Sequence, residues 1–187
     1  MNRVIVIAFT TLDGVVEDPD GSDGTPGGGW AFRHGPEAVA GDKFRLGSLL
    51  DTGGLLLGGG TWQLFAKLWP NRTDDFSQRM NAAQKWVASR TLTDVSAWSN
   101  STLINGDLGA EVKRLREERD VIVIGSPSIA QALIEVDLVE EYRLMVFPTV
   151  LGSGRRLFTN PAGAGDLRTV SIEQVGPTAL LRYERAR

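Results

Sequence analysis

Twice along this chain an aliphatic run stops at glycine and gives way to helical spacing. Leu55-Leu56-Leu57 ends in Gly58-Gly59-Gly60; Trp62, Phe65, Ala66 and Trp69 then recur at i, i+3, i+4 and i+7 behind Thr61 as a cap, and Pro70 stops the helix. Val121-Ile122-Val123-Ile124 ends in Gly125-Ser126, with Ser126 at the next cap, Pro127 in the first turn, and Ile129, Leu133 and Val136 as the inward stripe. An aliphatic strand with no polar alternation is covered on both faces, and parallel strands need a helical crossover to join them. The repeated unit therefore predicts a mainly parallel sheet with helices on both sides.

The remaining segments fit around that core. Val4 to Phe9 reads as a buried first strand ending at the Thr10 to Gly14 turn, and Lys85 to Ser89 as another strand. Glu37 to Leu50 is weakly helical with Phe44, Leu49 and Leu50 inward, and a further helix starts near Asp74 with Phe76, Met80 and Ala83 on one face. Leu108, Val112 and Leu115 stripe a helix whose charged end, Lys113 to Arg119, is a solvated face. Tyr142 to Phe147 is a strand, and Asp166 to Val175 and Thr178 to Glu184 flank Gly176-Pro177 as an antiparallel hairpin. The expected fold class is α/β, in three α/β/α layers, with a mixed, mainly parallel sheet and a C-terminal antiparallel hairpin, in one domain over residues 1–187. Glycine and proline dominate residues 17–29, which predicts a flexible loop anchored by Trp30 and Phe32, either an insertion without a task or a lid on the substrate side.

Composition removes several classes of chemistry. The 187 residues carry no cysteine and one histidine, His34, so thiolate catalysis and Cys-ligated zinc are out of reach; with no Gly-x-Ser-x-Gly elbow and a single histidine a Ser-His-acid triad is not expected, nor is a metal site. His34 reads as an ordinary loop residue, with a substrate contact as the sharper alternative. Twenty basic against 23 acidic residues, a formal charge of -3, provide no general field for nucleic acid or anionic lipid. The apolar run at Val4 to Phe9 is too short for a signal peptide, and no stretch approaches the roughly 20 apolar residues that span a bilayer. A cytoplasmic protein acting on a small molecule is expected, without nucleic-acid or membrane partners.

The glycine turns are where chemistry could sit. A helix start leaves about four backbone N–H groups without partners and adds the positive end of the helix dipole. Two such starts side by side would suit a diphosphate, with glycine allowing close approach. Neither turn has the spacing or the lysine of a P-loop, and neither is the dinucleotide fingerprint Gly-x-Gly-x-x-Gly.

Thr11-Leu12-Asp13-Gly14, Leu57-Gly58-Gly59-Gly60-Thr61-Trp62, Ser89-Arg90-Thr91, Val123-Ile124-Gly125-Ser126, and Val139-Glu140-Glu141 followed by Pro148-Thr149-Val150-Leu151-Gly152-Ser153-Gly154 resemble, in this order, the dihydrofolate reductase-like superfamily. The closer likeness is to the branch containing the reductase domain of bacterial riboflavin biosynthesis. The resemblance implies an eight- or nine-stranded mixed sheet, NADPH as hydride donor, and a homodimer. It places Gly58, Gly59, Gly60, Thr61, Gly125, Ser126, Ser128 and Ile129 beside the cofactor phosphates, and Ser89, Arg90 and Thr91 at the adenosine 2′-phosphate. It places Asp13 and Gly14 by the nicotinamide and substrate, with Trp30, Phe32 and Phe44 as walls for a flat ring. Two positions depart from the family pattern. Gly59-Gly60 stands where a basic residue is common, which leaves NADH open beside NADPH, and Gly125-Ser126 stands where Gly-Gly is usual.

The reading reached is an NAD(P)H-dependent reductase of a small heterocyclic or related carbonyl or imine substrate, with Asp13 orienting substrate or relaying a proton. Asp13 could equally organise its own turn with Gly14. The competing readings are a non-catalytic dinucleotide- or ligand-binding homodimeric domain, and an assembly domain with Leu144, Val146 and Phe147 at its interface.

Overall fold

The computed structural model describes residues 2–159 and 163–186. Its sheet has eight strands: β1 (Val4–Thr11), β2 (Gly54–Gly58), β3 (Gln84–Ala88), β4 (Ser101–Ile104), β5 (Val121–Ile124), β6 (Glu141–Phe147), β7 (Leu167–Val175) and β8 (Thr178–Arg185). Their spatial order is β4-β3-β2-β5-β1-β6-β8-β7. The pairings from β4 to β6 are parallel, and β6-β8 and β8-β7 are antiparallel. This is the mixed sheet expected from the sequence.

Alternation along the strands sorts the core into two layers. Ile5, Ile7, Leu55, Leu57, Val87, Ile122 and Ile124 point to one side, where they meet α1 (Leu49–Thr52), α2 (Gly59–Leu68) and α3 (Asp75–Ala82) through Leu50, Trp62 and Met80. Val4, Val6, Leu56, Trp86, Val121 and Val123 point to the other, against Val112 and Leu115 of α4 (Leu108–Glu118) and Ala130, Leu133 and Ile134 of α5 (Pro127–Glu135). The helices following the adjacent strands β2 and β5 thus lie on opposite faces, which makes the β2/β5 boundary a point where the chain changes direction of winding. Such points are where open α/β sheets bind ligands.

Several local expectations are corrected. Residues between Glu37 and Leu50 are not a helix: only a 3-10 turn at Pro36–Ala38 and the single turn α1 form. The Asp42 carboxylate accepts the amides of Leu46 and Gly47, both at 2.7 Å, and Gly41, Arg45 and Gly47 have positive φ, so local side-chain bonds replace the helical ladder. Val136 lies beyond the end of α5 and is 55% exposed, while Ala130 and Ile134 take the inward positions. The strand β4 has no counterpart in the sequence reading, because four residues at a half-exposed sheet edge carry too little pattern. Strand β6 is paired on both edges, so Leu144, Val146 and Phe147 lie inside the sheet, in keeping with their more ordinary reading as core.

The loop at 17–29 is built around one carboxylate. Asp18, 4% exposed, accepts the amides of Asp23 (3.0 Å) and Thr25 (2.9 Å) and the Thr25 hydroxyl (2.9 Å), while its carbonyl accepts Gly29 N–H (2.9 Å). A Cβ at Gly28 would lie 2.2 Å from the Asp18 carboxylate, so glycine is required there by contact. Trp30 anchors the far end by donating its indole N–H to the Glu17 carbonyl at 2.8 Å. Phe32 anchors nothing; it is 56% exposed.

One buried lysine stands out on the α1–α3 face. Lys85 has no exposed surface, and its ammonium donates to the carbonyls of Asn81 (2.9 Å), Ala83 (2.6 Å) and Ser99 (3.0 Å) while lying 4.4 Å from the Trp98 ring centroid. Burial lowers its pKa to about 8. The cluster ties α3 to the segment before β4.

Candidate active site

The two glycine turns meet at the β2/β5 boundary. Ser126 Oγ accepts the Gly58 amide at 2.7 Å and donates to Thr61 Oγ1 at 2.9 Å, and Thr61 Oγ1 accepts the Ser126 amide at 3.2 Å. Neither hydroxyl caps its own helix: α2 begins at Gly59 behind Gly58, and α5 begins at Pro127 with no side-chain cap. The expected caps at Thr61 and Ser126 are therefore replaced by a cross-link between the two helix starts. Gly125 (φ 61°) and Ser126 (φ 41°) are both left-handed, a conformation costing a non-glycine residue roughly 1–2 kcal/mol. The Ser126 cross-link offsets part of that cost.

Glycine at these turns is explained chiefly by the protein's own neighbours. A Cβ would lie 2.6 Å from Ser126 Oγ at Gly58, 2.8 Å from Ser89 Oγ at Gly59, and 3.0 Å from Thr61 Cγ2 at Gly125. At Gly60 a Cβ would meet nothing within 4 Å, so that position faces open space at the start of α2. The end of β3 joins this cluster through Ser89, whose hydroxyl accepts the amides of Thr91 (3.2 Å) and Leu92 (3.1 Å). Arg90 is exposed and makes no side-chain hydrogen bond or ion pair among the described residues. Ser128 is exposed and Ile129 half-buried on the first turn of α5. The structure thus brings Gly58 to Thr61, Ser89 to Thr91 and Gly125 to Ile129 to one end of the sheet, at uncapped helix starts suited to phosphate oxygens.

A second opening lies beside this junction. Strand β5 ends at Ile124, level with Ile7, whereas β1 and β6 continue together to Thr11 and Phe147. Ala8 and Phe9 lose a neighbour there and are the two half-exposed residues in an otherwise buried strand. Phe44 stacks on Phe9 (centroids 5.3 Å, 23°), and Phe147 meets Phe9 edge-on at 5.1 Å. Arg143 holds the backbone beneath Phe44 by donating to the carbonyls of Phe44 and Arg45, and is itself fixed by the fully buried Glu141 at 2.7 Å. Phe44 is therefore a wall of the opening. Trp30 is not: with no exposed surface it packs edge-on behind Phe147 at 5.3 Å. Phe32 lies outside this aromatic stack, with no ring contact among the described residues.

Asp13 sits at the end of β1, and its side chain is engaged with the protein. It accepts the Thr11 hydroxyl (2.6 Å) and the amides of Gly152 (2.8 Å) and Leu151 (3.3 Å). These donors, the Thr11 hydroxyl foremost, pull its pKa down to about 2. Its three donors fit the reading in which Asp13 organises its own turn. Gly14 (φ 84°) follows, with its Cβ position 4.0 Å from Arg156 Cδ. His34, for which a substrate contact is the sharper alternative, is joined to Thr149 by a 2.7 Å hydrogen bond beside Phe147. His34 ends a five-residue 3-10 turn, Trp30–His34, and Thr149 lies in a loop, so periodicity alone could not pair them. Among the described residues no cluster of His, Cys, Asp and Glu could hold a metal ion, and no helix is long and apolar enough to cross a membrane.

The RibD C-terminal domain family model matches residues 2–181. The uncharacterized protein YyaP of Bacillus subtilis (strain 168) is 26% identical over 176 residues, covering 90% of this chain and 87% of that protein. Among solved structures, a putative riboflavin biosynthesis protein from Shewanella sp. PV-4 superposes with a TM-score of 0.72 at 21% identity, over 99% of each chain. A pyrimidine reductase-like protein from Corynebacterium diphtheriae NCTC superposes with a TM-score of 0.61 at 12% identity, over 100% of this chain and 92% of that one. Both share the dihydrofolate reductase-like fold with this chain.

Proposed function

From the fact that the chain belongs to the RibD C-terminal domain family, we propose that it is an NAD(P)H-dependent reductase of a small heterocyclic or related carbonyl or imine substrate. The observation that carries this reading is the junction of two uncapped helix starts, cross-linked by Ser126 and Thr61, beside an aromatic opening on β1. The pyrimidine reductase-like name of one structural neighbour supports the same reaction class.

The residues present fit a dinucleotide. No side chain caps the start of α2 or of α5, and Gly60 leaves open space where a bulky group could approach. Arg90, exposed and unengaged, would fork onto a 2′-phosphate; with glycine at 59 and 60, it carries the choice of NADPH over NADH. When bound, the reduced nicotinamide supplies the hydride. Phe9 and Phe44 would hold a flat substrate by its face, and the ionised Asp13 would keep the Leu151-Gly152 turn at the rim.

Titration with NADPH and NADH, read by quenching of the protein's five tryptophans, tests the reading. Micromolar NADPH affinity with at least about tenfold weaker NADH is the expected result, ~1.4 kcal/mol of discrimination. Absence of binding by either cofactor at millimolar concentration rejects it.

A further inference from the structure

A reductase that adds hydride to C=N or C=O must also deliver a proton to the heteroatom, and the Asp13 carboxylate is taken up by Thr11, Leu151 and Gly152. We propose that His34, acting through the Thr149 hydroxyl, is the proton donor and the hydrogen-bonding pole of the substrate opening. This rests on the reductase reading above and identifies the residue that completes its chemistry.

The geometry is specific to this side chain. His34 Nε2 lies 2.7 Å from Thr149 Oγ1, and its ring is tilted against Phe147 at 5.7 Å. Phe147 in turn meets Phe9, the half-exposed residue stacked under Phe44. Thr149 is fixed at the mouth, since its carbonyl accepts the Leu12 amide at 2.9 Å. Leu12 and Val150, both strongly exposed, form an apolar rim around that contact. His34 is half-buried, so solvent can recharge it.

Histidine is the side chain whose ordinary titration lies near neutrality, the condition for a useful acid at physiological pH. The other ionisable groups around the opening are occupied. Asp13 is bound to Thr11, Leu151 and Gly152, and Arg156 to the Asp13 carbonyl at 3.1 Å. Asp42 is bound to the amides of Leu46 and Gly47. The imidazole is bonded to Thr149 and tilted against Phe147, and its chain neighbour Arg33 turns to the carbonyls of Gly27 and Gly28.

The step balances. Hydride from the reduced dinucleotide forms the new C–H bond, and the C=N or C=O π pair moves onto nitrogen or oxygen. That atom takes the Thr149 hydroxyl proton, Thr149 Oγ takes the proton from His34 Nε2, and the neutral imidazole regains a proton from water. A substrate acceptor atom on Thr149 also stabilises the imidazolium, so binding is linked to protonation of His34.

Because the chain has one histidine, its imidazole Hε1 gives one NMR signal. The probe is lumazine, a flat bicyclic heterocycle with carbonyl and ring-nitrogen acceptors, titrated from pH 5.5 to 7.5 while following that signal and tryptophan quenching. The imidazole signal should shift on binding, with its titration midpoint raised. Affinity should fall about fivefold from pH 5.5 to 7.5, and His34→Gln should hold the pH 7.5 affinity throughout. Thr149→Val should uncouple the imidazole signal from lumazine while NADPH affinity stays at the wild-type value. Lumazine bound with an unmoved imidazole signal, identical pH profiles in wild type and His34→Gln, or no lumazine binding at millimolar concentration each overturns the proposal while NADPH binding keeps the reductase reading intact. Loss of NADPH binding by the wild-type protein rejects both.

Discussion

The Ser126 hydroxyl accepts the Gly58 amide at 2.7 Å across 68 positions of sequence, and so one side chain fastens the ends of β2 and β5 together. Ser126 adopts φ 41°, and the hydroxyl that makes this bond also reaches Thr61. Ser126→Ala keeps the backbone strain and leaves the Gly58 amide without its acceptor, a loss of about 1–2 kcal/mol. Ser126→Gly loses the same bond but relieves the left-handed strain, so it should be the more stable of the two variants. Urea denaturation of both proteins checks the order; an alanine variant as stable as wild type would contradict it.

Arg90 is the exposed guanidinium at the end of β3, next to the glycines at 59 and 60. Arg90→Ala should weaken NADPH about tenfold or more and leave NADH affinity within about twofold, a difference of ~1.4 kcal/mol. The ratio of the two dissociation constants from tryptophan quenching measures it. A retained preference removes Arg90 from cofactor selection.

Asp13 has a pKa lowered to about 2 by hydrogen bonds, against 3.8 for a free aspartate carboxyl. Its folded value lies below its unfolded value, so its contribution to stability is present above about pH 4 and is lost as pH falls through about 2. Near neutrality it is a fixed acceptor. Asp13→Asn removes one acceptor oxygen and should speed hydrogen exchange at the Leu151 and Gly152 amides while NADPH affinity holds. Turnover of any substrate found should fall without a change in its pH midpoint; a moved midpoint would return Asp13 to proton transfer.

Lys85 satisfies three carbonyls and sits over Trp98. Lys85→Met keeps the length of the side chain and strands those carbonyls in the core, costing roughly 3 kcal/mol. The urea midpoint should drop accordingly, with cofactor affinity unchanged in the folded protein. A midpoint equal to wild type would show that water replaces the ammonium without loss.

The core of this fold is legible because it is periodic. Leu55 to Leu57 and Val121 to Ile124 declare covered parallel strands, and the glycines after them mark where helices begin. The site is less legible because its contacts are long-range. Nothing near Ser126 in sequence says that its hydroxyl will serve Gly58 and Thr61, and without those partners it reads as a cap. Trp30 beside a glycine-rich loop looks like an exposed wall, yet its indole N–H finds the Glu17 carbonyl and carries the ring inside. Asp42 shows the same limit: its two amide contacts break a helical pattern that residues 37–50 still carry weakly. His34 and Thr149 lie 115 positions apart, one at the end of a short 3-10 turn and one in a loop, where no spacing rule reaches.

Strands β1 and β6 run on past the level of Ile7 and Ile124, where β5 stops. The molecule is thereby divided into a foundation and a platform. Below that level, a substitution meets neighbours on both sides of the sheet and is answerable to folding. Above it, Phe9 and Phe44 pack on a separate apolar cluster around Trp30, Met145 and Phe147, so substitutions there can reshape the opening while the register underneath stays fixed.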